Sequence, residues 1–205
     1  MPSTPQIQIR TFHGPDIQPW LEQVAALRVD VFREWPYLYQ GDAGSDYERD
    51  YLRAYVQSPD SILVLAMHAG RVVGASTGLP LEHDGEPFTV PLAQAGLPVA
   101  QVFYFGESVL LPGYRGLGVG HAFFDAREAH ARGIGRFRWT AFCAVDRDPD
   151  DPRRPPGYRA NDLFWHGRGY ARLPGLTVRL DWPEMDRGRV EHPLTFWLRD
   201  WQAVA

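Results

Sequence analysis

Between Val109 and Phe124 the apolar run Val109-Leu110-Leu111 passes through Pro112-Gly113-Tyr114 into Arg115-Gly116-Leu117-Gly118-Val119-Gly120, and His121-Ala122-Phe123-Phe124 follows at once. This segment prescribes a strand, a glycine loop and a helix in immediate succession. Glycines let a backbone approach a bulky anion, the first N–H groups of a helix lack internal partners, and the helix dipole favours negative charge at that end. A pyrophosphate fits such a place, with Arg115 adding positive charge. Two other phosphate loops are excluded by spacing. A P-loop needs Gly-Lys followed by Ser or Thr, and a dinucleotide loop needs G-x-G-x-x-G with an acidic residue about 20 positions on. Here the glycines run G-x-G-x-G behind an arginine. A tight turn would use the same glycines, so the loop alone does not decide the matter.

The rest of the chain supplies the context. Gln6 to Phe12 alternates as a strand and ends at His13-Gly14-Pro15-Asp16, after which apolar residues from Ile17 through Trp20, Leu21, Val24, Leu27, Val31 and Phe32 recur at helical steps. Tyr47 to Val56 reads as a second helix. Ser61 to Met67 and Val72 to Leu79 are apolar strands joined as a hairpin at Ala69-Gly70-Arg71. The proline-rich stretch Pro80 to Ala100 reads as a long connection with room for one short helical turn. Gln101 to Leu111 is a strand, Gly118 to Arg132 a helix, Phe137 to Val145 a strand and Tyr158 to Gly167 a short helix, with strands at Tyr170 to Leu180 and Leu194 to Trp201. The polar loop Asp146 to Gly157 reads as a solvated connection. This order predicts an α/β fold, a mixed sheet with helices on its faces, in one domain over residues 1–205.

Composition narrows the partners. With 205 residues, 44% of them hydrophobic, the chain can bury one sizeable core. A net charge of -4 gives no electrostatic footprint for nucleic acid or an anionic membrane, so a small metabolite or peptide is the expected partner. Cys143 is the only cysteine, which excludes an internal disulfide, and the start of the chain lacks a signal-peptide run. A cytoplasmic location and no membrane span are the corresponding expectations. The histidines show no metal-ligand spacing, and no metal is expected.

Arg115, Gly118 and Gly120 stand where the GCN5-related N-acetyltransferases (GNAT) carry Gln or Arg, two residues, Gly, one residue, then Gly or Ala; Val109-Leu110-Leu111-Pro112-Gly113-Tyr114 resembles their V-x-x-P-x-Y approach. The order of elements agrees from residue 6 to the end. The resemblance implies a largely antiparallel sheet in which strands four and five splay near Val109 and Cys143. It implies acetyl-CoA as cofactor, with CoA as product. Backbone groups of Val109, Leu110 and Leu111 would then be free for the pantetheine arm, and the loop Arg115, Gly116, Leu117, Gly118, Val119, Gly120 and His121 would hold the pyrophosphate. His121 is a phosphate donor or else a surface or capping residue.

Acetyl transfer to an amine needs a proton acceptor, an oxyanion donor and a proton for the departing thiolate. Glu107 follows Phe103, Tyr104 and Phe105 in an apolar strand, where desolvation disfavours a carboxylate's charge, and it is the candidate base; the alternative is a structural carboxylate bonded to a loop. The resemblance implies the Val109 N–H as oxyanion donor. Family members often end the fourth helix with Tyr, three residues, Gly and an aromatic. Aligning Gly169-Tyr170 on that pair puts Trp165 at the Tyr position, where an indole can pack on or bond the cofactor but cannot supply the proton. Tyr158, Asn161, Asp162 and Trp165 would share one helical face; either Tyr158 or Asn161 could bind the arm, and Tyr158 could also be the acid or a stacking or capping residue. Cys143 reads as an inert buried thiol.

Acceptors in this family usually enter beside the first two helices, and here Trp35, Tyr37 and Tyr39 could form an aromatic wall with Asp42, Asp46, Glu48 and Asp50 nearby, suited to a cationic amine; core aromatics beside a solvated acidic turn are the alternative. The expected function is direct N-acetylation of a small or amino-acid-like amine. Acetylation of a protein amine, transfer of a longer acyl group and a CoA-binding sensor are the competing readings. The C-terminal strands, with Phe196-Trp197-Leu198, are a candidate homodimer contact by the same resemblance.

Overall fold

The computed structural model describes residues 5–203, whose contacts gather into two units. Within the described residues, the first contains 5–31, 42–79 and 105–135, and the second contains 32–41, 80–104 and 136–203.

In the first unit, β1 (Gln8–Phe12) pairs antiparallel with β2 (Ile62–His68), and β2 pairs antiparallel with β3 (Arg71–Pro80). The later part of β4 (Val102–Leu110) lies beside β3. β2 is buried from Ile62 to Met67, and Val73, Ala75 and Leu79 extend the core along β3. The helix expected from Ile17 begins later. A 3-10 stretch covers Gly14–Trp20, with Pro19 inside it, and α1 (Leu21–Phe32) follows. Proline lacks the N–H that an α-helical turn uses, which accounts for the delay. In α2 (Asp46–Gln57) the hydroxyl of Ser45 accepts the Glu48 amide at 3.4 Å, satisfying one unpaired donor of the first turn.

The second unit begins with the parallel pairing of β4 with β5 (Trp139–Val145), in register from Val102↔Trp139 to Tyr104↔Ala141. Beyond Tyr104, β4 continues as part of the first unit. β5 pairs antiparallel with β7 (Gly188–Asp200), and β7 with β6 (Ala171–Glu184). Antiparallel neighbours dominate, as expected for this mixed α/β class.

Two segments differ from the sequence reading. The connection 80–100 carries a full helix, α3 (Glu86–Gln94), rather than one turn; Pro87 stands in its first turn, where no amide hydrogen is needed. The stretch 181–193 is strand on both sides of the turn at Met185-Asp186-Arg187, so β6 and β7 form a long hairpin. In the first unit again, α4 (Val119–Ile134) runs from Gly118 to Gly135, both left-handed, and buries Phe123, Phe124, Arg127 and Ala131. Back in the second unit, α5 is Asp162–Gly167, so Tyr158 precedes it instead of sharing a helical face with Trp165.

Candidate cofactor and active site

The glycine loop sits in the first unit, between β4 and α4. Pro112–Tyr114 make a 3-10 turn in which the Tyr114 amide donates to the Leu111 carbonyl (3.0 Å) and the Arg115 amide to the Pro112 carbonyl (3.1 Å). The Tyr114 hydroxyl meets His68 Nδ1 at 2.9 Å, tying the turn to the end of β2. Gly116 and Gly118 have φ of 75° and 81°, a region that side chains rarely adopt, and a Cβ on either would meet nothing within 4 Å. The loop is thus left-handed at both glycines and open on the side a side chain would fill. Residues 115–118 are exposed, and α4 starts behind Gly118 without a side-chain cap. Amides of its first turn, from Val119, Gly120 and His121, are left by helix geometry without an i−4 acceptor. These features fit a diphosphate: donors converging at the positive end of a helix of sixteen residues, an exposed arginine, and room in front.

The expectation that Leu111 has free backbone groups does not hold. Its amide donates to the Val73 carbonyl at 3.0 Å, prolonging the ladder with β3, and its carbonyl takes the Tyr114 amide. The Leu110 carbonyl accepts from Arg115 Nε at 3.3 Å. Val109 is fully buried, and His121 is exposed on the first turn of α4.

Glu107 lies in the same unit, buried, with its amide donating to Thr77 Oγ1 at 3.2 Å. Its surroundings are not merely apolar. Arg28 of α1 donates from Nη1 to Glu107 Oε2 at 2.5 Å, and the Tyr51 hydroxyl of α2 donates to the same oxygen at 2.7 Å. Arg28 Nε also donates to Glu48 Oε2 at 2.9 Å, while its guanidinium lies 4.0 Å from the centre of the Tyr51 ring. Burial opposes the charge on Arg28, but the attraction of Glu107, Tyr51 and Glu48 more than offsets it and holds the guanidinium above its ordinary range. Behind Glu107, Arg127 of α4 donates from Nη1 to the carbonyls of Thr77 (3.2 Å) and Glu107 (3.4 Å) and from Nη2 to Ser108 Oγ (2.9 Å). Gly106 matters here, since a Cβ would lie 2.0 Å from the Tyr55 hydroxyl and 2.7 Å from Thr77 Oγ1.

The aromatic candidates, with Asn161, Trp165 and Cys143, lie in the second unit, and the acidic ones in the first. Trp35 and Tyr39 are buried and Tyr37 is half-buried, so the segment packs into its own unit more than it forms an open wall. The Trp35 ring stands edge-on to Tyr158, with centroids 6.2 Å apart, and Tyr39 bridges to Glu184 in β6. The Pro36 and Tyr37 carbonyls accept from Arg147 at 2.5 and 3.0 Å, and that of Tyr37 also accepts from Trp182 Nε1 at 3.0 Å. Asn161 precedes α5, its carbonyl accepting the Trp165 amide at 2.9 Å, and its side chain caps nothing. Trp165 packs between Phe142 and Trp197, each 5.0 Å away. Burial pushes the Cys143 thiol far up, which leaves it protonated and unsuited to nucleophilic attack. The acidic groups also divide. Asp42 turns back on the Gly44 amide at 2.9 Å and Asp50 pairs with Arg53 on the surface, while Glu48 is fully buried against Arg28.

Solved structures match this architecture along nearly its whole length. An N-acetyltransferase from Staphylococcus aureus superposes with a TM-score of 0.62 at 13% identity, covering 95% of this chain and 98% of that one. A GCN5-related N-acetyltransferase from Kribbella flavida gives 0.56 at 20% identity, covering 95% and 97%. The yncA protein of Salmonella typhimurium, solved with its cofactor acetyl-CoA, gives 0.58 at 12% identity, covering 97% and 96%. The chain has the fold of the GCN5-related N-acetyltransferases. No family model and no curated protein matches its sequence.

Within this GNAT fold, the motif that pointed to it from the sequence is the loop in front of α4, and its geometry suits an anion. Sequence reasoning missed Arg28, Tyr51 and Arg127 as partners of Glu107, and it read Glu48 as an acidic group beside the acceptor wall, where it is the second partner of Arg28. A signal for two of them existed. Arg28 falls on the apolar face of α1 with Val24 and Val31, and Glu48 falls on the face of α2 with Leu52 and Tyr55. Charges at core-facing positions imply buried partners.

Proposed function

We propose that the chain is an acetyl-CoA-dependent N-acyltransferase that moves an acetyl group directly to the amine of a small-molecule or amino-acid-like acceptor. One observation carries the reading: the exposed Arg115–Gly120 loop, left-handed at Gly116 and Gly118 and seated on the N-terminus of α4 within a GNAT fold. Acetyl-CoA, when bound, supplies the acetyl group as an activated thioester. The amides of Leu117 to His121 and the Arg115 guanidinium hold its pyrophosphate, and the Val109 N–H is the donor assigned to the developing oxyanion. Overall, a C–N bond forms, the C–S bond breaks, the amine gives up a proton and the thiolate gains one.

Glu107 is the assigned proton acceptor. Its Oε2 is already taken by Arg28 and Tyr51, which leaves Oε1 for the proton. Because Oε1 is buried, a bridging water is its natural link to the amine. The assignment of Tyr158 as proton donor to the thiolate rests on its chemistry and sequence position. The absence of a Tyr at position 165 removes the usual alternative.

The test is CoA release by purified protein with acetyl-CoA and a panel of small amines, amino acids and short peptides. Release with at least one small amine is expected, and Glu107→Gln is expected to lower kcat by roughly a hundredfold while leaving acetyl-CoA affinity near wild type. Tight CoA binding with no release from any acceptor would point instead to a CoA sensor. Release only with peptides would replace the small acceptor by a protein amine.

A further inference from the structure

Three charged side chains from separate elements of the first unit meet in its interior. Arg28 is 6% exposed, Glu48 0% and Glu107 6%. Arg28 divides its guanidinium between the two carboxylates, Nε to Glu48 at 2.9 Å and Nη1 to Glu107 at 2.5 Å. The occupancy of Glu107 is lopsided. Its Oε2 takes both Arg28 and the Tyr51 hydroxyl, whereas Oε1 is buried and has no hydrogen-bond partner among the described residues. Buried carboxylates kept for structure alone are ordinarily bonded at both oxygens, since an unmet acceptor in the interior is costly. One cation facing two carboxylates also leaves the cluster formally negative. One pair of donors on Oε2, with the buried Oε1 unpartnered, leaves a single oxygen of the carboxylate uncommitted.

We infer that Arg28, steadied by Glu48, is a positioning residue that orients the Glu107 carboxylate, so that Oε1 is the atom that receives the proton. This rests on the acetyltransferase reading for its catalytic meaning. Glu48 acts through Arg28: it takes the guanidinium at Nε while Nη1 goes to Glu107. The groups facing Glu107 are Arg28 from α1, Tyr51 from α2 with Tyr55 behind it (hydroxyls 3.5 Å apart), Thr77 from β3 at its amide, and Arg127 from α4 at its carbonyl. Among the described residues, Arg28 and Tyr51 are the two that reach the carboxylate itself.

The experiment pairs two readouts on Arg28→Gln and Arg28→Lys. The first is the titration of the Glu107 carboxyl by carbon-13 NMR, assigned with Glu107→Gln. The second is the pH profile of kcat/KM with an amine that supports CoA release. Loss of the neighbouring cation favours the neutral acid, so Arg28→Gln is expected to move the Glu107 midpoint, and the acid limb of kcat/KM with it, upward by about one pH unit or more. kcat is expected to fall roughly tenfold or more, with KM for acetyl-CoA unchanged. Arg28→Lys, which keeps charge but loses the fork, is expected to restore the midpoint and only part of kcat. A Glu107 midpoint that stays put in Arg28→Gln overturns the inference, as does a kinetic limb that stays put while the midpoint moves. Should Arg28→Gln fail to fold, Tyr51→Phe removes the other donor to Oε2 and Arg28→Lys keeps the charge. An unchanged kcat in both then overturns it. A wild-type chain that releases no CoA sinks the acetyltransferase reading alone, because the NMR titration still reports whether Arg28 governs Glu107.

Discussion

Gly118 meets two demands with one residue. It turns the chain at a φ of 81° so that α4 can start, and by lacking a side chain it leaves the space in front of the helix open. Gly118→Val is therefore expected to cost about 1–3 kcal/mol of folding stability through backbone strain alone. In calorimetry it is also expected to weaken acetyl-CoA binding by at least roughly tenfold, about 1.4 kcal/mol. Binding at wild-type affinity would remove the loop from cofactor recognition. Residues of this kind are legible in a sequence because backbone geometry leaves few alternatives to glycine. Glu107 was legible for a related reason, as an acid stranded among aromatics. Arg28 and Glu48 were harder to see because an isolated charge on a helix usually lies on its solvated face. Only the register with Val24 and Val31, or with Leu52 and Tyr55, marks them as core residues.

Among elements, the β6–β7 hairpin does more than close a sheet edge. Glu184 at the end of β6 is fully buried and gathers Arg147 and Arg153 from the polar loop after β5, with His192 of β7 at 3.0 Å. Burial alone would raise the Glu184 carboxyl, but Arg153 and Arg147 hold it below its ordinary value. The loop 146–157, which reads as a solvated connection, is thus anchored from inside. Glu184→Gln leaves two guanidinium groups without their buried counter-charge. It is expected to destabilise the protein by about 3–5 kcal/mol in urea unfolding and to speed amide exchange across residues 147–158. A change under about 1 kcal/mol would mean that the arginines find other partners. This network was hidden because its members are far apart in sequence and because Pro183 and Pro193 broke the strand pattern. The helix α3 was hidden by its prolines in the same way, whereas β2, β3, β5 and α4 declared themselves by uninterrupted apolar periodicity.

For the molecule as a whole, two histidines, His192 buried and His130 half-buried, set the response to acid. Burial, reinforced by Arg147, lowers His192 below its ordinary range, and burial lowers His130, whose Nε2 meets the Asp60 carbonyl at 2.8 Å. An unfolded chain takes up these protons at about pH 6.5, before the native protein does. Between the native and unfolded midpoints the unfolded state holds more protons, so stability is full above about pH 6.5 and is lost as pH falls. Melting temperature is expected to decline from pH 7 to pH 5, and His192→Gln with His130→Gln to flatten that decline; a flat wild-type profile would contradict it. At this scale the fold was the most legible property. Structures only 12–20% identical share it, and what identified it in the sequence was the spacing of one arginine and two glycines with the order of strands and helices around them. The close approach of the Tyr55 hydroxyl to Gly106 has a practical consequence for anyone diversifying this protein. Position 106 has to be held constant in a mutant library, because any side chain there would push Tyr55 and Thr77 aside next to Glu107. Gly113, seven positions on, faces open space and can be randomised freely.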